Sequence, residues 1–139
     1  MKVTVELTAQ ESETIFYDIL CNCISMGYLN GYGLELTYDR KDYAYISSKM
    51  RDAGNGELHS NIPTYEEVLM GILKHDGILK VIDVEGDGCY DANITLNDIH
   101  TKIQTAPIDN LQNILDETGD VIDCDIVLQH MLYGEIIFG

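Results

Sequence analysis

The stretch Thr8 to Tyr28, TAQESETIFYDILCNCISMGY, constrains the fold more than any other part of the chain. Thr8 and Glu11 stand at capping-box spacing, where a hydroxyl and a carboxylate satisfy two orphan backbone donors at a helix start. Apolar residues then recur at Ile15, Phe16, Ile19, Leu20, Cys23, Ile24 and Met26, with a period of about 3.6 residues, and a stripe of that kind has to be buried. Asp18 and Asn22 interrupt it. The segment therefore reads as an amphipathic helix lying on a sheet, not as a membrane span.

The remaining segments supply that sheet and further helices. Lys2 to Leu7 alternates, with Val3, Val5 and Leu7 on one face, as a half-buried strand does. Gly33 to Tyr38 alternates again and predicts a second strand. Ile78 to Glu85 and Cys89 to Leu96 are strand-like runs separated by Gly86, Asp87 and Gly88, a hairpin signal. Nearly every residue from Ile78 to Val84 is apolar, which predicts a central strand covered on both faces. Glu135 to Phe138 makes a fifth, terminal strand. Thr64 and Glu67 repeat the capping-box spacing before a helix from Tyr65 to His75. Thr95 or Asn97 can cap a helix carrying Ile99 and Ile103, Pro107 can start one carrying Leu111, Ile114 and Leu115, and Asp123 caps a last helix that Gly134 stops. Asp39 to Asp52 reads two ways: a helix with Tyr43, Ile46 and Met50 on its apolar face, or a turn followed by a returning strand from Tyr43 to Ser47. The fold class expected is α+β, a single domain over residues 1–139, with a mainly antiparallel sheet of about five strands around the 78–96 hairpin.

Charge narrows the partners. The chain has 24 acidic and 8 basic residues, a net charge of -16. Residues 1–82 hold 12 acids and 7 bases, and residues 83–139 hold 12 acids and only Lys102, so the balances are -5 and -11. Such a surface repels nucleic-acid backbones, whose binding depends on cations that displace counterions, and direct DNA or RNA binding is not expected. No window approaches the length of a membrane span, and MKVTVELT has no signal-peptide core. A location in the cytoplasm, with the four cysteines reduced, follows.

Most chemical motifs fall away on spacing. Asp83, Glu85, Asp87 and Gly88 match the first half of a calcium loop, but its twelfth position is Ile94 where a bidentate glutamate is needed, and a hairpin turn explains the acids. His59, His75, His100 and His130 have no zinc spacing, Cys21 has no local activating group, and no phosphate-binding glycine loop is present. Neither a metal nor another cofactor is expected. One cluster runs against the acidic background. Arg40, Lys41, Lys49 and Arg51 are half of the basic residues, interleaved with Tyr38, Tyr43 and Tyr45. Guanidinium and ammonium groups suit phosphate oxygens, and tyrosine rings suit nucleobase faces. Arg40, Tyr43, Tyr45, Lys49 and Arg51 are therefore the candidate ligand-binding residues. The competing reading is a solvated helix face whose cations offset Asp39, Asp42 and Asp52.

FYDILCNCISMGY together with DCDIVLQHMLYGEIIFG resembles a family of small acidic proteins encoded by tailed phages and prophages, which share an early F-x-D-I-L helix and a terminal D-x-x-L-Q-x-x-x-x-G-E-I-I-F-G run. The chain departs from the family at Gly31, Tyr32 and Gly33, where many members have Gly-Tyr-Trp. Phage proteins of this kind include the anti-Thoeris sponges, to which this chain is similar in size and character. The resemblance implies a phage gene product of the host-cell cytoplasm with host defence as its target, and the first hypothesis is a counter-defence protein that sequesters a small nucleotide-derived signal, of cyclic nucleotide or cyclic ADP-ribose type, without catalysis and as a homo-oligomer with pockets at subunit interfaces. The alternative it leaves open is an acidic inhibitor that docks on a host defence or nucleic-acid-binding protein through Asp109, Asp116, Glu117, Asp120, Asp123 and Asp125.

Overall fold

The computed structural model describes residues 6–53 and 62–139. Among them are seven α-helices and one three-stranded antiparallel sheet, in the order α1 (Ala9–Ile19), α2 (Tyr28–Gly31), β1 (Leu34–Tyr38), α3 (Arg40–Asp52), α4 (Tyr65–Lys74), β2 (Leu79–Asp83), β3 (Ala92–Ile94), α5 (Leu96–Lys102), α6 (Ile108–Leu115) and α7 (Val121–Tyr133). The mixed helix and sheet class is as expected. Among the described residues three strands are formed where about five are expected. The expected N-terminal strand lies, up to residue 5, outside the described residues, and Glu6 and Leu7 are irregular.

α1 starts as the sequence dictates. Thr8 accepts from the Glu11 amide at 3.1 Å and Glu11 accepts from the Thr8 amide at 3.0 Å. Ile15, Phe16 and Ile19 are fully buried, and α1 touches α4, α5, α6 and α7. The helix does not run straight to Tyr28. From Leu20 to Ile24 it widens into a π-turn, closed by the Ser25 amide on the Leu20 carbonyl at 2.9 Å, and Gly27 ends it in the left-handed region at φ 86°. The extra residue in that turn shifts the stripe, so Leu20 and Cys23 stay buried while Met26, expected inside, is 71% exposed.

The sheet has the order β1-β2-β3, with Leu36 opposite Val81 and Leu79 opposite Ile94. β2 is central, as its apolar run predicts, but among the described residues the helices cover only one face. Leu79 and Val81 are buried, whereas Ile78 is 42% and Ile82 39% exposed. The hairpin connection is longer than Gly86 to Gly88 suggests. Asp83 accepts from the Gly86 amide at 2.9 Å and Asp91 accepts from the Asp83 amide, 2.6 Å away, so side chains take over from the β2–β3 ladder here, while the Val84 amide still bonds the Gly33 carbonyl at 2.9 Å.

The expected terminal strand is not formed, for an identifiable reason. Gln129, 3% exposed on α7, accepts from the amides of Ile137 and Phe138, both at 2.8 Å, and donates to the Phe138 carbonyl at 3.0 Å. One side-chain amide thus takes the place of a neighbouring strand. Phe138 stacks on Tyr32 with centroids 4.9 Å apart, and the Tyr32 hydroxyl donates to Asp125 at 2.7 Å.

The α7 cap sits one turn earlier than expected. Asp120 is the N-cap, and Asp123, 8% exposed, accepts from the Asp120 amide at 3.0 Å and from the side-chain amides of Asn110 at 2.8 Å and Asn113 at 3.2 Å. The backbone hydrogen bond, more than the opposing cost of burial, holds the Asp123 carboxyl below the usual carboxylate range. A depressed folded-state pKa stabilises above the unfolded value and is lost as pH falls through the folded one. Asp123→Asn should therefore lower the urea midpoint at neutral pH and flatten the loss of stability below about pH 4, measured by urea titration across that range.

Candidate functional site

Residues 39–52 form a helix, not a turn and strand. Asp39 caps it, accepting from the amides of Lys41 at 2.7 Å and Asp42 at 3.2 Å. Ile46 is buried, and Tyr43 and Met50 are half-buried, which leaves the candidate cations outward. They are not gathered together. Arg40 and Arg51 occupy opposite ends of α3, roughly 16 Å apart along the axis at about 1.5 Å per residue, and both are exposed. Tyr43 belongs to a packed trio with Tyr38 at 4.9 Å and Tyr65 at 6.2 Å between centroids. Burial, then the Tyr38 phenol, raises its pKa, with Arg51 opposing. That ring is a packing element of the α3 underside.

Lys49 and Tyr45 lie elsewhere on the helix, and there a concave site exists. The Lys49 ammonium stands 5.1 Å from the ring centroid of Tyr45, a residue 54% exposed whose ring meets His75 edge-on at 6.2 Å. Between α3 and α4 is a hollow of about 220 Å³ with a floor of Ile46, Met50 and Gly71 and a rim of Lys49, Lys74 and His75. Gly71 creates that floor: a β-carbon there would sit 2.5 Å from Cγ2 of Ile46 and 2.6 Å from Cε of Met50. Only hydrogen in that position lets the two helices approach so closely.

Met50, Gly71 and Lys74 also border a second chamber of about 440 Å³, completed by Gln10, Glu13, Thr14 and Tyr17 of α1 with Glu67 and Met70 of α4. Glu13 joins the walls, accepting from Lys74 Nζ at 3.2 Å and standing 3.1 Å from His100 Nε2. Burial pushes the Glu13 carboxyl up, but the hydrogen bonds and charges of His100 and Lys74 outweigh it and leave the group below its usual value. The hollow carries the two ammonium groups of Lys49 and Lys74 on its rim and the chamber the carboxylates of Glu13 and Glu67, with Lys74 between them.

Other chemistry is not assembled. The Cys21 thiol is pushed up, mainly by burial, and Cys23 and Cys124 rise to about 12 and about 11 for the same leading cause, so none is poised as a thiolate. Among the described residues no three His, Cys, Asp or Glu side chains converge as a metal site would require, and no helix is long and apolar enough to cross a membrane. Of the six acids in the alternative docking surface, Asp123 is consumed by the α7 cap and Asp125 by Tyr32 and Gln129. Asp109, Asp116, Glu117 and Asp120 are exposed.

The grouping of Lys49 and Tyr45 with Lys74 and His75 was not legible along the chain, because α4 is remote from α3 in sequence. The available signal was the basic end of the Tyr65 to His75 helix. In comparison with known proteins, the chain matches no family model, no characterised protein and no solved structure.

Proposed function

We propose that this chain is a phage-type counter-defence protein that binds and sequesters a small, phosphate-bearing, nucleotide-derived ligand without catalysing a reaction, and that the α3–α4 hollow holds the ligand's anionic end. The observation that carries the reading is the meeting of Lys49, Lys74 and His75 over an apolar floor in a molecule of net charge -16. Charge-assisted hydrogen bonds from the two ammonium groups fix the phosphate, and the exposed Tyr45 ring supplies a stacking surface. Arg40 and Arg51 serve at most as long-range attraction, given their distance from each other. The hollow is built within one chain, so a ligand reaches it with or without self-association.

Isothermal titration against a panel of cyclic nucleotides, cyclic ADP-ribose isomers and linear nucleoside monophosphates tests the proposal. Saturable heat with at least one of them, and none with the matching nucleosides, is the expected result. Absence of heat with the entire panel would rule the reading out. The docking alternative predicts instead that the protein retains a nucleic-acid-binding partner at low salt and releases it at high salt.

A further inference from the structure

The α3–α4 hollow is too small to be the whole of a nucleotide site. At about 220 Å³ it falls below the roughly 300–1,000 Å³ of most small-molecule sites, whereas the adjoining chamber, at about 440 Å³, falls within that range. Met50, Gly71 and Lys74 border both, so a ligand held at Lys74 has the chamber beside it. Among the described residues the chamber wall has a different chemistry from the hollow. Tyr17, Met50 and Met70 supply its apolar part, and Glu13, Glu67 and the Gln10 amide its polar part. Ionised carboxylates only accept hydrogen bonds, so this wall suits groups that donate them.

The two carboxylates are not equally available. Glu13 has one oxygen 3.2 Å from Lys74 Nζ and the other 3.1 Å from His100 Nε2. Glu67 spends only Oε1, on the Thr64 amide at 3.1 Å in the capping box of α4, and a carboxylate has about four acceptor sites. Glu67, Gly71 and Lys74 follow one face of α4, which sets Glu67 roughly 10 Å from Lys74 along the axis at about 1.5 Å per residue. That is the span of a single nucleotide from phosphate to base edge. We propose that the chamber receives the base of the ligand and that Glu67 reads its edge, so that the ligand is a nucleotide with its phosphate at one end and adjacent N–H donors at the other. Guanine is the matching base, because it sets a ring N–H beside an amino group. Adenine sets an acceptor beside its amino group, and uracil flanks its N–H with two carbonyls. A second phosphate in the chamber meets Glu13 and Glu67, which disfavours ligands charged at both ends. The inference rests on the sequestration reading, since it takes the phosphate to be held by Lys49 and Lys74.

Isothermal titration with guanosine and inosine 5′-monophosphates tests it, because the two differ only by the exocyclic amino group. The unmodified chain should bind the guanosine nucleotide at least about tenfold more tightly, since a site that accepts from an N–H discriminates against the analogue lacking it. Glu67→Gln should reduce that preference to under about threefold. Glutamine serves a capping box as glutamate does, so the start of α4 is kept, and a ratio of two affinities measured on one protein is insensitive to a general loss of folding. Equal binding of the two nucleotides, a preference that survives Glu67→Gln, or binding of other members of the nucleotide panel but not of the guanosine nucleotide would each overturn this inference and leave the sequestration reading standing. No heat with any member of the panel would overturn both.

Discussion

Gln129→Leu is expected to release residues 137 and 138 from α7 and to lower unfolding free energy by about 3 kcal/mol, at roughly 1 kcal/mol for each of the three hydrogen bonds to those residues, with the longer contact to half-exposed Asp125 adding little. The substitution preserves size but removes the acceptor of two amides and the donor to one carbonyl. Phe138 then has no backbone anchor holding its ring on Tyr32, and the contacts of Phe138 with Tyr90 at 5.2 Å and Tyr133 at 6.3 Å loosen with it. Against a typical total of about 5–15 kcal/mol, such a loss is large. Urea unfolding gives the free energy, and amide exchange at 137 and 138 shows whether the segment has detached. A shift under about 0.5 kcal/mol with unchanged protection would contradict the role assigned to Gln129.

The same region shows what a sequence can and cannot disclose. Capping boxes at Thr8, Thr64 and Thr95 are local events, set by residues three apart, and the helices begin there. The alternation around Leu34 to Tyr38 and the apolar run around Leu79 locate two strands because side-chain period is also local. Glu135 to Phe138 satisfies the same strand pattern, yet its hydrogen-bond partner is a side chain on a helix, a choice made by tertiary packing. The π-turn at Leu20 to Ile24 is likewise invisible to a helical period, and it turns Met26 outward. Ile78 and Ile82 read as core because apolar residues alone do not say how many layers cover a sheet.

The candidate site was legible only in part. Lys49 lines the α3–α4 hollow and Tyr45 stands beside Lys49 and His75 at its edge, whereas Arg40, Tyr43 and Arg51 do not line it, because a helix distributes neighbours in sequence around its whole circumference. Lys74 and His75 come from a different helix, brought in by the contact over Gly71. The largest functional effect follows from that arrangement. Lys49→Ala combined with Lys74→Ala removes both ammonium groups from the rim and should weaken a phosphate-bearing ligand about 100-fold, near 2.7 kcal/mol, if each contributes a charge-assisted bond at the low end of its usual strength. Removal of Lys74 also strips Glu13 of one partner, while His100 remains 3.1 Å away to hold that carboxylate in place.

The most direct test is an amide chemical-shift titration of the protein with the tightest-binding nucleotide of the panel, run on the unmodified chain and on the Lys49→Ala/Lys74→Ala variant. Shifts concentrated in residues 45–53 and 70–75 are expected to saturate in the unmodified chain and to be lost in the variant at the same ligand concentration. Shifts centred on the acidic α6 and α7 surface, or equal in the two proteins, would contradict it.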